Sequence, residues 1–418
     1  RVRYDADQLT RILADDALRE EKPELAATAL VSLVAHGHIA EDEGLARLRA
    51  MYEDSPPEQR RALAQAMASD PAPPFARVVL EWLRNEKDRS VLAELVRAAA
   101  LHAEVGGPDR AELAEALAPL LPLRVAGAAA RETLAELYRD EPEGLTPCLH
   151  HPTQAVRAAV PRVIGLCEPR PAAQVLTREL EQHPDGLVRF RCLKALRTLV
   201  REEPALGLDA ELITRQALGY LESALGLIDV RLKLEAGQPG KAGADSPAGK
   251  LLLLLVRDKA AFARSRAFLA LGLLFPRENF DRVLRSLQDG DKRARASARE
   301  LCESLVKAPL REPLGYFIDD LDDAERVRRA AGFIEESPSD YDALLEQLGA
   351  LDDELGALAR HHAQELGLDV EHSIDDGSWG AFARGLHHGT RLGTHEELAH
   401  GGARALGGRL ARDGEGGG

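Results

Sequence analysis

The sequence predicts an all-α protein, a right-handed α-solenoid of about ten to eleven helical hairpins without β-sheet. The first observation is a ladder that returns every 31 to 34 residues: a small or β-branched residue, usually followed by Arg, then apolar positions four, seven and eight residues on. The second is composition. Ala, Leu, Arg and Glu dominate and aromatics are only 4%, which favours helices over strands. The third is that no run of alternating apolar and polar residues stands between hairpin turns.

The clearest copies of the ladder are Val156-Arg157 with Val160, Val163 and Ile164, and Val188-Arg189 with Cys192, Ala195 and Leu196. Two more follow, Ala294-Arg295 with Ala298, Leu301 and Cys302, and Val327-Arg328 with Ala331 and Ile334. Each set lies on one helical face. Further anchors fall at Leu25, Gln59, Val91, Val125, Ala263 and Leu358. One step, from Val188 to Ala263, is 75 residues, which reads as two repeats plus an insertion of about ten. Residues 1–204 are therefore expected to form an N-terminal array, capped by a helix containing Leu9, Ile12 and Leu13. A long helix from Leu208 to Glu235 and a flexible Gly/Ala/Pro loop at 236–249 fill 205–250, and a second array occupies 251–368. The remainder, 369–418, has thirteen glycines after Asp376 and reads as mostly disordered, or as an out-of-frame translation of GC-rich DNA.

Formal net charge is −15, which argues against general nucleic-acid binding, since that affinity depends on neutralising phosphates. The charge is uneven. Arg257 to Arg299 holds eleven basic residues against five acidic ones, and Asp319 to Glu354 holds thirteen acidic residues against three arginines. Such opposed neighbours set up a field able to orient a charged partner. Arginine outnumbers lysine 45 to 9, the mark of a GC-rich bacterial coding sequence. Cys167, Cys192 and Cys302 read as small core residues in a reducing compartment. The longest apolar run, Leu251 to Val256, is far short of the roughly 20 residues that cross a bilayer. A soluble, cytoplasmic chain is expected, with no signal peptide and no membrane insertion. Because it begins at Arg1, it also reads as the downstream part of a longer polypeptide.

Apparent chemical motifs fail on spacing. Gly243 to Lys250 looks like a phosphate loop, yet Ala244 stands at a glycine position and Leu251 replaces the hydroxyl that holds magnesium. His395 and His400 are five apart where a zinc-protease helix needs four. Cys148, His150 and His151 suggest no fourth ligand. His361-His362 lacks the adjacent glutamate of a di-iron site, and no Gly-x-Ser-x-Gly elbow occurs. Neither a metal nor a cofactor is expected, and no catalytic residue.

The recurring Arg157, Arg189, Arg264, Arg295 and Arg328, with Asp185, Asp291 and Glu325 shortly before three of them, resemble the Asp/Arg ladders of HEAT repeats. That resemblance covers about Leu25 to Leu366 and implies that these arginines are structural, bridging carboxylates of adjacent turns. A narrower resemblance rests on Arg266-Ala-Phe-Leu-Ala-Leu-Gly-Leu-Leu-Phe-Pro276 and on Gly290-Asp-Lys-Arg-Ala-Arg-Ala-Ser-Ala298. These stretches are similar to the HEAT extension behind the membrane domain of bacterial proteins related to nucleotide (ATP/ADP) exchange transporters. It implies an upstream membrane domain that tethers this segment at the cytosolic face.

Functionally the sequence points to a non-catalytic scaffold. Its concave surface would hold another protein with an acidic segment, through a basic band of Arg266, Arg282, Arg285, Lys292, Arg293 and Arg299. The alternatives are a regulatory module of a nucleotide-transporter-like membrane protein, and a helical-repeat lyase or metal-dependent enzyme.

Overall fold

The computed structural model describes residues 5–15, 21–53, 55–105, 109–237 and 246–368. Among them are twenty α-helices, two short 3₁₀ turns and no strand. No described helix is long and apolar enough to cross a membrane. The chain divides into two compact units, Arg1–Val175 and Leu176–Gly418. The boundary lies inside the helix Pro169–Gln182, upstream of the break expected at 204. The loop residues 238–245, the tail from 369, and with it His395 and His400, lie outside the described residues.

The first unit alternates two kinds of helix. One layer comprises α2 (Pro23–Ala35), α4 (Pro57–Ser69), α6 (Arg89–Glu104), α8 (Ala126–Leu137) and α10 (Gln154–Ile164), each packed on the next. Between them run α3 (Glu41–Glu53), packed on α2, α4 and α5 (Phe75–Asn85); α5, packed on α6 and α7 (Arg110–Leu117); α7, packed on α6 and α8; and the short α9 (Thr146–Leu149), packed on α10. Anchors Leu25, Gln59, Val91 and Val156 all fall in the first layer. The ladder is thus the imprint of one helix per hairpin. Its faces are dense in small residues, among them Ala26, Ala27, Ala29, Ala64, Ala98 and Ala130, all buried. They let helices approach closely, while Leu33, Leu63, Leu95 and Leu134, each 1% exposed or less, contribute about 1.5–3 kcal/mol apiece. At the N-terminus, α1 (Ala6–Ala14) starts with a capping box between Asp5 and Gln8 and buries Leu9 against Ala29 and Leu33.

Several helices begin where an aspartate accepts backbone N–H groups. Asp88 caps α6, Asp109 caps α7, and in the second unit Asp185 caps α12 (Gly186–Glu202). Each such cap stabilises its helix by about 1 kcal/mol.

The second unit is organised around a long hairpin. Helix α13 (Ala210–Ala236, 27 residues) and helix α14 (Pro247–Leu274, 28 residues) pack along each other over roughly 40 Å. The 75-residue step is therefore filled by two unusually long helices. Ala263 falls in the middle of α14, not near a helix start. Around this hairpin pack α15 (Phe280–Asp289), α17 (Arg311–Ile318), α18 (Asp323–Arg329), α19 (Tyr341–Gly349) and α20 (Glu354–Glu365), with α16 (Lys292–Leu305) packed on α15 and α17. The helix expected to run from Val327 through Ile334 stops at Arg329. Gly332, at φ 89°, turns the chain out of the helical path, and Ala331 and Ile334 lie in the turn that follows.

All four cysteines are free and buried. Burial pushes the Cys167 thiol up to about 11 and that of Cys302 up to about 12, so both stay protonated near neutrality.

Candidate functional site

The ladder arginines divide by what their guanidinium groups reach. Arg157 donates to the carbonyls of His151 and Pro152, Arg189 to those of His183 and Pro184, and Arg295 to that of Gly290 at 2.8 Å. In all three the arginine reaches back five or six residues and ties off the turn before its own helix. Asp185 and Asp291 serve as N-caps of those helices. The expected bridging of carboxylates between hairpins falls to other residues: Arg49 to Glu81 at 3.2 Å, Arg60 to Glu86 at 2.8 Å and Arg84 to Glu112 at 3.7 Å. Arg328 is exposed and pairs within its own turn with Glu325. Arg264, in the middle of α14, has no such turn to reach.

Instead Arg264 lines a groove of about 930 Å³ in the second unit. Helix α16 contributes Lys292, Arg295, Ala296 and Arg299, which its period places on one face. Helix α15 adds Leu284, Leu287 and Gln288. The floor is apolar, with Phe268, Phe317 and Ile318, and Arg326 of α18 completes the cationic set beside Asp319 and Asp320. Five cations thus face two carboxylates.

Most of these cations are already engaged. Arg299 donates twice to the Ile318 carbonyl, at 3.1 and 3.0 Å, and lies 3.7 Å from Asp319. Arg326 donates to the carbonyls of Tyr316 and Leu321 and pairs with Asp323. Arg264 differs: it has no hydrogen-bond or ion-pair partner among the described residues, and its Nε is closed off from solvent. Burial holds its pKa below the ordinary arginine value with no carboxylate opposing the shift. The Arg326 guanidinium is held low first by burial and then by the charge of Arg264.

Of the predicted basic band, the groove takes in Lys292 and Arg299. Arg282, Arg285 and Arg293 are exposed and outside its lining. Arg266 is buried at 6% exposure, its guanidinium stacked 5.1 Å over Phe190, and burial pushes its pKa down to about 10. It is a core residue and cannot meet a partner at the surface. Sequence reasoning missed Arg326 and placed Arg264 and Arg295 in the ladder. The signals were present: Lys292, Arg295 and Arg299 are spaced for one face, and no acidic cap residue stands three or four positions before Arg264.

A second arrangement has the residue types of a catalytic set. Ser246 Oγ lies 3.1 Å from His362 Nδ1, and Tyr341 Oη lies 2.8 Å from His362 Nε2. His362 is fully enclosed, and Ser246 Oγ also accepts the Gly249 N–H that caps α14. Both ring nitrogens are thereby occupied and the serine oxygen is tied to a helix end. The chain works as a strap joining α14, α19 and α20.

Comparison with protein-family models, with curated proteins and with solved structures returned no match.

Proposed function

We propose that this chain is a non-catalytic binding protein, a HEAT-like right-handed stack of about ten to eleven hairpins, whose groove between α14 and α18 holds an acidic segment of a partner protein in the cytoplasm. The observation that carries the reading is the lining itself: five cationic side chains against two carboxylates over an apolar floor. Such a surface attracts an anionic chain over a distance and then fixes its register. The repeated arrangement of the first unit supports the scaffold part, since stacked hairpins supply rigid spacing without a global core.

The test is anisotropy of a labelled peptide made of Glu, Ala and Leu, titrated with protein. The double substitution Lys292→Glu and Arg295→Glu is expected to weaken binding by at least about tenfold, roughly 1.4 kcal/mol. The equivalent change at Arg282 and Arg293, outside the lining, should leave it within about twofold. Equal losses from both pairs, or none from the first, would remove the groove as the binding surface.

A further inference from the structure

Several shielded cations of the second unit have a charged or carbonyl partner. Lys259, with a fully enclosed side chain, meets Asp353 at 3.0 Å. Lys233 meets Asp229 at 2.8 Å and also donates to the Ser337 carbonyl. Arg326 is held by two carbonyls and Asp323. Arg264 has no such partner among the described residues, and it lies inside the groove, beside a second guanidinium that feels its charge. Its guanidinium is half-buried at the groove wall, where an entering anion meets a charged donor for which no protein acceptor competes.

The chemistry of the lining narrows that anion. With Asp323 answering Arg326, the surplus is two positive charges, more than one carboxylate can answer. A phosphate monoester carries about −1.5 to −2 charges at neutral pH and three strong acceptor oxygens, which suit the planar fork of an arginine. The cavity, at about 930 Å³, is far larger than a bare phosphate and lies within the range of small-molecule sites. Leu284 and Leu287, both half-buried, give part of the remaining wall an apolar surface, with Phe268 and Phe317 buried behind it, so the carrier of the phosphate has an apolar or aromatic part to set against them.

We propose that Arg264, with Arg295 and Arg326 of the same groove, forms a subsite for the dianion of a phosphate monoester on an apolar or aromatic carrier. The proposal rests on the groove being the binding surface, and it adds what the groove selects. The carrier is either a phosphorylated side chain of the partner or a small free phosphate ester.

Calorimetric titration at constant ionic strength tests it, with phenyl phosphate and benzoate as probes that share a ring and differ in the anion. Phenyl phosphate is expected to bind at least about tenfold tighter than benzoate. Arg264→Gln should abolish that preference, while Arg282→Gln should retain it. Arg264→Lys keeps the charge and loses the planar fork, and is expected to lower phenyl phosphate affinity by about fivefold; it decides the matter if Arg264→Gln fails to fold. The Glu/Ala/Leu peptide carrying one phosphotyrosine separates the sources. Affinity well above that of phenyl phosphate assigns a protein-borne phosphate, and affinity no higher assigns a free ester. Equal binding of phenyl phosphate and benzoate, absence of phenyl phosphate binding at about ten millimolar, or an unchanged preference in the Arg264 variants would overturn the subsite. Binding of the unphosphorylated peptide, weakened by the Lys292/Arg295 substitutions, would still leave the scaffold reading standing in each of those cases.

Discussion

Residues 21–164 and residues 186–365 use the same residue types to different ends. In the first stretch helices are short, each packs on the next one or two, and cross-hairpin ion pairs such as Arg110 with Glu141 lie at the surface about one repeat apart. In the second, two long helices gather partners from 90 to 116 residues away: Arg231 reaches Asp323, Lys259 reaches Asp353 and Ser246 reaches His362. Repetition builds uniform surfaces because every unit meets the same neighbours. A groove with enclosed charge needs elements of different length converging, and only the second stretch has them.

The largest expected effect separates these two kinds of ion pair. Asp353→Ala strands the Lys259 ammonium, whose side chain is 0% exposed, and should destabilise the second unit by about 3–5 kcal/mol in urea unfolding. Replacing both partners by apolar residues, Lys259→Met with Asp353→Leu, should restore most of that loss. Glu141→Ala, at an exposed pair in the first unit, should cause no measurable change. Equal responses at the two sites would erase the contrast.

An intermediate effect concerns pH and belongs to the first unit. His102 is fully buried on the edge of Phe75. Burial pushes its pKa down to about 4; the Ala72 backbone tempers the shift without closing a bond to either ring nitrogen. Between about 4 and the ordinary 6.5 the unfolded chain binds a proton that the folded one rejects, so stability falls as pH drops through that window. Glu86 adds a second, more acid limb. Burial raises its pKa, but hydrogen bonds from Arg60, Tyr52 and the Asp88 and Lys87 amides outweigh that and hold it at about 2. Its contribution is complete above the ordinary 4.5 and is lost as pH falls towards 2. Thermal melts should show both limbs in the wild type, and His102→Phe should flatten the upper one alone. An unchanged upper limb in that variant would assign it elsewhere.

The smallest effect is local. Gly332→Ala should cost about 1 kcal/mol, because an L-residue resists φ 89° although nothing lies within 4 Å of the added methyl. A larger loss in melting would show that the turn after α18 carries more than its own strain.

Much of the fold was legible in the chain. The ladder located the helices of one layer, because a 3.6-residue period must appear in sequence wherever one face is buried, and the cysteines on it are core. Asp185 and Asp291, read from the sequence as ladder partners, cap helices instead, an effect that acts within a few residues. Half of the groove was equally open to reading: Lys292, Arg295 and Arg299 share a face by spacing alone. What local pattern could not give was which face each arginine meets. Arg264 and Arg295 occupy the same ladder position and both line the groove, yet of the two only Arg295 also closes its own turn. Arg266 stands two residues from Arg264 and is buried on Phe190.

The sequence by itself determined an all-helical chain, the helix-bearing faces of the first unit, and the caps and turn-closing arginines, because each of these rests on contacts within about six residues. Tertiary structure alone decided that α13 and α14 run as one long hairpin, that Asp353 answers Lys259, and that Arg264 is left beside Arg326 in a groove. The first depends on two consecutive helices turning back on each other, the other two on side chains 94 and 62 residues apart. Whether a buried charge meets a carboxylate, a carbonyl or an open cavity is set by the packing of distant helices, to which local periodicity is blind.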